Sequence, residues 1–284
     1  MKQATLVASV ALLLLLTACT KSANAQGEDG RGSADTAIVA DGQEETTALA
    51  ADTIPFYVHR LMEAYPTFGL TYADNQLLFP DGTAIICDDG REKGFIEKLD
   101  DCDVEDMFSM AYDRESTTPD YLSDCGRGRC EPLFKKMYGG SEREVRSHLV
   151  SVSWFGQSIP FTEVNDAAKQ LEKVAEELAE KPALRQYLVQ ASSFYWRKVR
   201  GANRQSAHSY GIAIDINTRF SNYWLWSNPG KGETDRLRYE NRIPIEIVEV
   251  FEKHGFIWGG RWYHYDTMHF EYRPEFLKPV EEKQ

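Results

Sequence analysis

Positive charge is scarce in this 284-residue chain, which has 32 Lys and Arg residues against 44 Asp and Glu residues. The formal net charge of -12 disfavours nucleic acid and anionic membrane surfaces as partners, because both attract basic proteins. Long apolar runs are also lacking, since no stretch after the N-terminal segment is long enough to span a bilayer as a helix. We therefore expect neither nucleic-acid binding nor a membrane-spanning domain.

The N-terminal segment has the pattern of an export signal. Lys2 follows the initial Met, an apolar run covers residues 11–16, and small residues precede Cys19. The Leu-Thr-Ala-Cys sequence that ends at Cys19 resembles a bacterial lipobox, which implies removal of residues 1–18 and lipidation of Cys19. Cleavage after Ala25 is the alternative. Thr20 after the cysteine favours the outer membrane, so we expect a cell-envelope protein facing the periplasm and held only by a lipid anchor.

Cysteine is sparse, and it has no metal-binding spacing. After Cys19, the chain has four cysteines and no Cys-x-x-Cys pair: Cys87, Cys102, Cys125 and Cys130. An even number of cysteines in an exported protein is typical of disulfides. Three pairings are possible, and we favour Cys87–Cys102 with Cys125–Cys130 because each closes a short loop.

Composition divides the chain into four parts. Residues 1–18 form the signal peptide, and residues 19–52 are a polar, nearly aromatic-free stretch that predicts a flexible tether. Residues 53–144 form an N-terminal region that bears the cysteines, with no role that the sequence reveals. Residues 145–284 form the domain that carries the chemistry. Helical and strand patterns mix without regular alternation, which predicts an α+β fold with a small antiparallel sheet flanked by helices.

Two short segments of the last part have metal-ligand spacing. In the first, residues 211–217 alternate between isoleucine on one face and Ala, Asp or Asn on the other, which predicts a strand with Asp215 opposite the core. Gly211 permits a tight turn, so that His208 can fold back onto Asp215. In the second, a strand near residues 268–273 would place His269 and Glu271 on one face. Asp266 lies three residues before His269.

These residues suit a catalytic zinc site. Three protein ligands of the His, Asp and His type leave a fourth position open for water, as catalytic zinc requires. His208, Asp215 and His269 are the predicted ligands of one zinc ion, which acidifies a water molecule. Asp266 is then free to take the proton of that water as general base. Glu271 is a candidate for orienting an imidazole ring, with plain surface exposure as the alternative.

The pattern Ser206-x-His208-x-x-Gly211-x-Ala213-x-Asp215 resembles the signature of the LAS-type zinc metallopeptidases. This family includes D-alanyl-D-alanine carboxypeptidases of the VanY and VanX kind and L-alanyl-D-glutamate endopeptidases. The later Asp-x-x-His pattern and the Trp-Gly-Gly-Arg-Trp run at residues 258–262 are similar to the endopeptidase branch. The resemblance covers about residues 151–274 and implies a hedgehog-like peptidase fold, zinc at the three ligands and Asp266 as base.

The family resemblance also implies an arginine that stabilises the oxyanion. Arg197 is favoured by its Phe-Tyr-Trp-Arg setting, while Arg200 and Arg204 stay open as alternatives because the usual helical spacer before His208 is absent. A basic cluster beside the metal suits an anionic substrate or transition state. The remaining candidates for substrate contact are Ser206, Tyr210 and Trp262.

The sequence thus predicts a zinc peptidase that hydrolyses a bond in the peptidoglycan stem peptide, either as a D,D-carboxypeptidase or as an L-alanyl-D-glutamate or other endopeptidase. The alternative is a non-catalytic, zinc-containing envelope lipoprotein that binds peptidoglycan. An intact Asp266 favours the enzyme, because a binding protein needs no general base. The sequence leaves open which bond is cut.

Overall fold

The computed structural model describes residues 53–277. The predicted signal peptide, the tether and the lipidation site Cys19 lie outside these residues. The described residues belong to one compact unit, whose main core contains buried side chains from both sides of residue 144. The predicted domain boundary between residues 144 and 145 stays a prediction from the sequence. In the structure, buried residues from both sides of this boundary share one core.

Helices and short antiparallel strands are mixed along the chain, which confirms the α+β class. The helices are α1 (Phe56–Ala64), α2 (Phe95–Asp100), α3 (Val104–Met107), α4 (Glu131–Tyr138), α5 (Glu142–Ser147), α6 (Ala167–Ala179), α7 (Arg185–Leu188), α8 (Trp224–Ser227) and α9 (Ile245–Lys253). The strands are β1 (Thr71–Ala73), β2 (Gln76–Leu78), β3 (Ala84–Ile86), β4 (Leu149–Trp154), β5 (Gln157–Thr162), β6 (Ala213–Asp215), β7 (Phe256–Trp258) and β8 (His269–Tyr272).

The strands form three separate antiparallel sheets. β1, β2 and β3 form a meander, β4 and β5 form a hairpin, and the third sheet has the order β6-β8-β7. Among residues 53–277, no helix combines the length and the apolar character needed to cross a bilayer. The third sheet matters most here, because it contains both segments with metal-ligand spacing.

The core face of the third sheet is apolar, as the alternation of residues 211–217 predicts. Ile212, Ile214 and Ile216 are fully buried. Phe270, the neighbour of His269 on β8, stacks on Phe251 of α9 with ring centroids 3.9 Å apart. Because successive side chains of a strand point to opposite faces, this burial of Phe270 turns His269 and Glu271 to the other face.

The turn before β6 needs a glycine. Gly211 has a φ of +70°, which side chains rarely adopt, and an added Cβ would lie 2.5 Å from Cδ2 of Leu149 on β4. Its carbonyl oxygen accepts a hydrogen bond from the Thr162 amide at the end of β5. The hairpin of β4 and β5 therefore supports the turn that brings His208 back toward β6.

The four cysteines of the N-terminal region are free thiols in the structure, so the predicted disulfides Cys87–Cys102 and Cys125–Cys130 are not present. Three of the thiols are buried and Cys102 is partly buried. Burial raises the pKa of Cys87 to about 11 and that of Cys130 to about 12. Packing rather than covalent links holds this region: Cys125 lies in a small apolar cluster with Ile257, Trp262 and Phe276.

Buried polar contacts also join the N-terminal region to the C-terminal end of the sheet. The Tyr65 hydroxyl, just after α1, donates to Glu275 at 2.7 Å, and Glu275 also accepts from Arg273 at 2.5 Å. Arg273 and Glu275 are fully buried. Buried charges need such partners, since an unpaired one costs several kcal/mol. These contacts position residues 53–144 against the sheet that carries the candidate site.

Candidate metal centre

Antiparallel pairing of β6 and β8 joins the two segments with metal-ligand spacing. Asp215 and His269 are direct cross-strand partners, and Ala213 is opposite Glu271. Side chains of such pairs lie on the same face, within contact distance. His208 lies in the 3-10 turn Ala207–Tyr210, which Gly211 ends in the left-handed conformation. The register and the turn bring the predicted ligands together.

Three donor atoms converge at this point. Nε2 of His208 lies 3.2 Å from Oδ1 of Asp215, and Nδ1 of His269 lies 3.0 Å from the same oxygen. The two imidazole nitrogens are 3.2 Å apart. Zinc bonds of about 2.0–2.1 Å in a tetrahedron place ligand atoms about 3.3 Å from each other. The triangle therefore has the size of one face of a zinc coordination sphere, and the donor types suit this ion.

Each imidazole has its other nitrogen fixed by an acceptor. Nδ1 of His208 lies 2.6 Å from the carbonyl oxygen of Ser193, and Nε2 of His269 lies 3.3 Å from Oε2 of Glu271. An acceptor at one nitrogen holds the proton there and leaves the lone pair of the other nitrogen for a metal. The structure thus presents His208 through Nε2 and His269 through Nδ1.

Opposing charges dominate the electrostatics of the donor set. Burial alone would raise the pKa of Asp215, but the adjacent His208 and His269 hold it far below its usual range. Burial would lower the pKa of His269, whereas hydrogen bonds to Asp215 and Glu271 raise it to about 10. A dication held by the three donors would replace that proton, so metal binding would be linked to proton release.

Glu271 is fully buried and is surrounded by positive groups. Its Oε1 accepts from Arg273 at 2.9 Å, while Oε2 lies 3.5 Å from Nη1 of Arg129. Burial opposes ionisation, but Arg129 and the hydrogen bond from His269 lower the pKa of Glu271 to about 2. The surface-exposure alternative for Glu271 is therefore wrong, and its contact with His269 supports the orienting alternative.

Replacing Glu271 with glutamine should weaken zinc binding by about 10- to 100-fold, because the carboxylate that orients His269 is lost. The same change leaves buried arginines without their anion, so the free energy of unfolding should fall by about 3 kcal/mol. Zinc affinity is measured by competition with a chromophoric chelator, and stability by urea unfolding. Exposed Glu92→Gln is the matched control. Unchanged zinc affinity in Glu271→Gln would show that Glu271 does not orient the ligand.

Asp266 lies beside the donors in a rigid loop. Its amide donates to Gly259 at 3.0 Å, and its carbonyl oxygen accepts from the His269 amide at 3.1 Å. Gly259 permits this approach, because an added Cβ would lie 2.5 Å from the Asp266 carbonyl oxygen. Oδ1 of Asp266 is buried, and it has no hydrogen-bond partner within residues 53–277. The loop therefore leaves Oδ1 of Asp266 available to form a hydrogen bond with another molecule.

Burial and the negative charge of Asp215 raise the pKa of Asp266 to about 7, while nearby His269, His208 and Arg197 act in the opposite direction. A general base works best when its pKa is near the operating pH. The electrostatic setting of Asp266 is thus that of a group that can both accept and return a proton.

The donors open onto a cleft of about 580 Å³. Arg197, Arg200, Ser206 and Trp262 line it, as do Asp266 and two of the N-terminal region's arginines, Arg127 and Arg129. Trp262 packs against His269 with ring centroids 5.4 Å apart. Tyr210 differs from the prediction: it is 1% exposed and packs between Phe134 and Tyr138 in the core, because the same turn that directs His208 outward directs Tyr210 inward.

The three candidate arginines occupy different positions on the loop before His208. This loop folds back on itself, with an antiparallel bridge between Lys198 and Gln205. Arg197 and Arg200 are exposed, whereas Arg204 is buried and paired with Asp100. Among the three arginines, only Arg197 is one of the leading influences on the pKa of Asp266, which its charge lowers. These positions favour Arg197 as the cation nearest the reacting centre.

The N-terminal region forms one wall of the cleft, which the sequence did not reveal. Asp124 accepts from His264 at both the backbone amide, at 2.9 Å, and Nδ1, at 2.5 Å. Arg127 joins Asp124, at 2.8 Å, to Glu233, at 2.9 Å. Asp124 and His264 are 140 positions apart in the sequence, and Arg127 and Glu233 are 106 apart. No local spacing could therefore predict these contacts. These contacts fix His264 in the wall, and it does not belong to the group of converging donors His208, Asp215 and His269.

Gly126 also belongs to this wall. A Cβ there would lie 2.2 Å from Cζ2 of Trp262 and 2.8 Å from Cδ1 of Ile257. Because Gly126 has no side chain, its backbone can lie close to the indole of Trp262, which packs against His269. Through this contact, residues 53–144 help to position His269, a candidate metal ligand, from outside the pair of strands β6 and β8.

Comparison with known proteins gives one family match. A family model described as D-alanyl-D-alanine carboxypeptidase matches residues 200–272, which contain all three predicted metal ligands, Asp266 and Glu271 but not Arg197. No curated protein and no solved structure gave a significant match. The matched segment is less than half of the chain, and it coincides with the motif that suggested the family. Over residues 200–272, this chain therefore matches the D-alanyl-D-alanine carboxypeptidase family, in agreement with the resemblance seen in its sequence.

Proposed function

We propose that this protein is a zinc-dependent peptidase that hydrolyses a bond in the stem peptide of peptidoglycan. The observation that carries the proposal is the convergence of His208, Asp215 and His269 to 3.0–3.2 Å beside the unpaired carboxylate oxygen of Asp266. A structural zinc site is closed by four protein ligands, whereas three ligands and an adjacent base suit hydrolysis. The family match over the same residues supports the proposed substrate class.

The residues of the chain divide the reaction between them. A zinc ion at the three donors would supply Lewis-acid polarisation of the peptide carbonyl and a lowered water pKa. Asp266 takes the proton of the attacking water and then donates it to the leaving amine. Arg197 lines the same cleft and offsets the negative charge that develops on the carbonyl oxygen. Trp262 and the N-terminal wall restrict water around the substrate.

We further propose that the protein works in the bacterial cell envelope, with a lipid on Cys19 as its only membrane attachment. The lipobox-like sequence before Cys19 supports this location. The four free thiols neither support nor contradict a location in the cell envelope. Peptidoglycan would then be the one polymer within reach that carries peptide bonds of the implied type.

The test is mass spectrometry of purified muropeptides after incubation with the protein, with and without a zinc chelator. The expected result is a shortened stem peptide that disappears with chelator and returns when zinc is added back. The mass of the product identifies the bond, because loss of a terminal alanine and cleavage within the stem give different fragments. Zinc-dependent binding of muropeptides without any product would favour the binding-protein alternative.

The arginine assignment has its own test. Arg197→Ala should lower kcat by about 10²- to 10³-fold with little change in KM, because a group that acts on transition-state charge affects the chemical step. Arg200→Ala should have a smaller effect, because Arg200, unlike Arg197, is not among the leading influences on the pKa of Asp266. Steady-state kinetics on a defined stem peptide decides between them. A larger loss of kcat in Arg200→Ala would reverse the assignment.

A further inference from the structure

The direction of the Asp266 carboxylate is set by the backbone that carries it. Oδ1 of Asp266 has no hydrogen-bond partner within residues 53–277. Burial and the negative charge of Asp215 both raise the pKa of Asp266, so two acidic groups share one buried site. Like charges in such a site repel each other, and a loosely held side chain would turn away from the donors. The position of the base therefore depends on how firmly residues 265–267 are held.

One edge of residues 265–267 is held by the segment just before α8. Tyr223 in this segment is the partner of Asp266 in an isolated antiparallel bridge. Next to the bridge, the Thr267 amide donates to the carbonyl oxygen of Asn222 at 2.9 Å. The sequence assigns no role to Asn222 or Tyr223. In the structure they pair with the backbone on both sides of the base.

Thr267 receives support from both edges of the loop, and it is fully buried. Besides the amide bond to Asn222, its Oγ1 accepts from the Asn222 amide at 2.7 Å. Its carbonyl oxygen accepts from Nε1 of Trp258 at 2.9 Å. All three polar atoms of Thr267 are thus hydrogen-bonded. Because consecutive side chains of an extended segment point to opposite sides, a buried Thr267 turns the preceding Asp266 towards the cleft that it lines.

The indole of Trp258 is itself fixed in one orientation. A Cβ on Gly260 would lie 2.1 Å from its Cζ2, so only a residue without a side chain lets the chain fold over this ring. The ring also stacks on Phe270, with an interplanar angle of 22° and centroids 6.3 Å apart. Nε1 of Trp258 therefore points to the Thr267 carbonyl oxygen. Hydrogen bonds from two separate segments of the chain meet on the residue next to the base.

We propose that Thr267 and Trp258 are positioning residues, which hold Asp266 in the direction that proton transfer requires. The inference rests on the proposed function, since it takes Asp266 as the general base. Catalytic groups must be held within about 0.5 Å and 10–20° of the productive geometry. A carboxylate oxygen without a partner of its own meets this requirement through its backbone. The metal donors have separate support in the pairing of β6 with β8, so loss of these contacts should affect proton transfer before zinc binding.

The test is steady-state kinetics of the zinc-loaded full chain on a defined stem peptide. Thr267→Val keeps the shape of the side chain but cannot accept the hydrogen bond from Asn222, and Trp258→Phe removes the donor Nε1. Each should lower kcat about 10- to 100-fold, because a misplacement of about 1 Å can cost about 10²-fold in rate. KM and zinc content should change little. Thr267→Ser restores the acceptor and should retain most of kcat.

Trp154→Phe is the matched control for the loss of a buried indole donor. Trp154 is fully buried, its Nε1 donates to the Leu188 carbonyl oxygen at 2.7 Å, and neither residue lines the cleft. The control should lose stability but retain kcat. Thermal unfolding is measured for every variant, and kinetics are measured below the unfolding transition. A loss of kcat in Trp154→Phe equal to that in Trp258→Phe would show a general effect of stability and would overturn the role of Trp258.

Hydrogen exchange of the Thr267 and His269 amides, followed by NMR, measures the order of the loop without any substrate. Exchange should be faster in Thr267→Val and Trp258→Phe than in the unmodified protein and in Thr267→Ser. Faster exchange in a protein that hydrolyses no stem peptide would remove only the proposed function. The positioning role would be overturned by unchanged kcat in both variants, by a loss in Thr267→Ser as large as in Thr267→Val, or by unchanged exchange of the two amides.

Discussion

Asp266→Asn is expected to lower the rate of stem-peptide hydrolysis by about 10²- to 10⁴-fold, the contribution of a general acid–base group. Asparagine keeps the shape of the side chain but cannot accept the proton of the attacking water. The carboxylate of Asp266 is not among the three converging donors, so zinc binding should persist. The measurements are kcat on a defined stem peptide and zinc content by mass spectrometry.

A matched control for this substitution is Asp74→Asn. Asp74 is exposed in the turn between β1 and β2, and its φ of +50° is one that asparagine also tolerates. The control should therefore retain both activity and stability. Hydrolysis that persists in Asp266→Asn would remove the assignment of the base, whereas loss of zinc would show that Asp266 helps to hold the metal.

The second large effect is expected for His269→Ala, which removes one of the three converging donors. Zinc affinity should fall by more than the roughly 10- to 100-fold that loss of an outer hydrogen-bond partner costs. Hydrolysis should then fall to background at ordinary zinc concentrations. Because a ligand that binds only the folded state stabilises it, zinc should raise the unfolding temperature of the unmodified protein but not that of His269→Ala.

The zinc-dependent change in unfolding temperature is measured by calorimetry with and without the metal. His59→Ala is the control, since His59 is exposed on α1 and distant in sequence from the donors. Unchanged zinc affinity in His269→Ala would contradict the ligand assignment. Loss of hydrolysis with full zinc retention would point to a role in substrate binding instead.

Local spacing was sufficient to predict the centre of the site. The period-two pattern of residues 211–217 places Asp215 on the face opposite the isoleucines, and β6 has this arrangement. Gly211 predicts the turn that returns His208, and its φ of +70° confirms the tight turn. His269 and Glu271 share a face of β8 as predicted. Such inferences succeed because each depends on residues close together in the chain, whose geometry the backbone dictates.

Contacts between distant segments were decided only by the tertiary structure. The wall built from Asp124, Arg127 and Arg129 depends on packing of residues 53–144 against a sheet more than 100 residues later. Tyr210 lies in the core rather than the cleft, because the turn at Ala207–Tyr210 directs the side chain of His208 to the cleft and that of Tyr210 to the core. The even number of cysteines predicted disulfides, but the four thiols are free in the structure. The sequence by itself thus indicated the candidate metal donors and the candidate base, because strand and turn geometry is local. The folded chain alone decided what surrounds them, because burial and charge pairing depend on which distant surfaces meet.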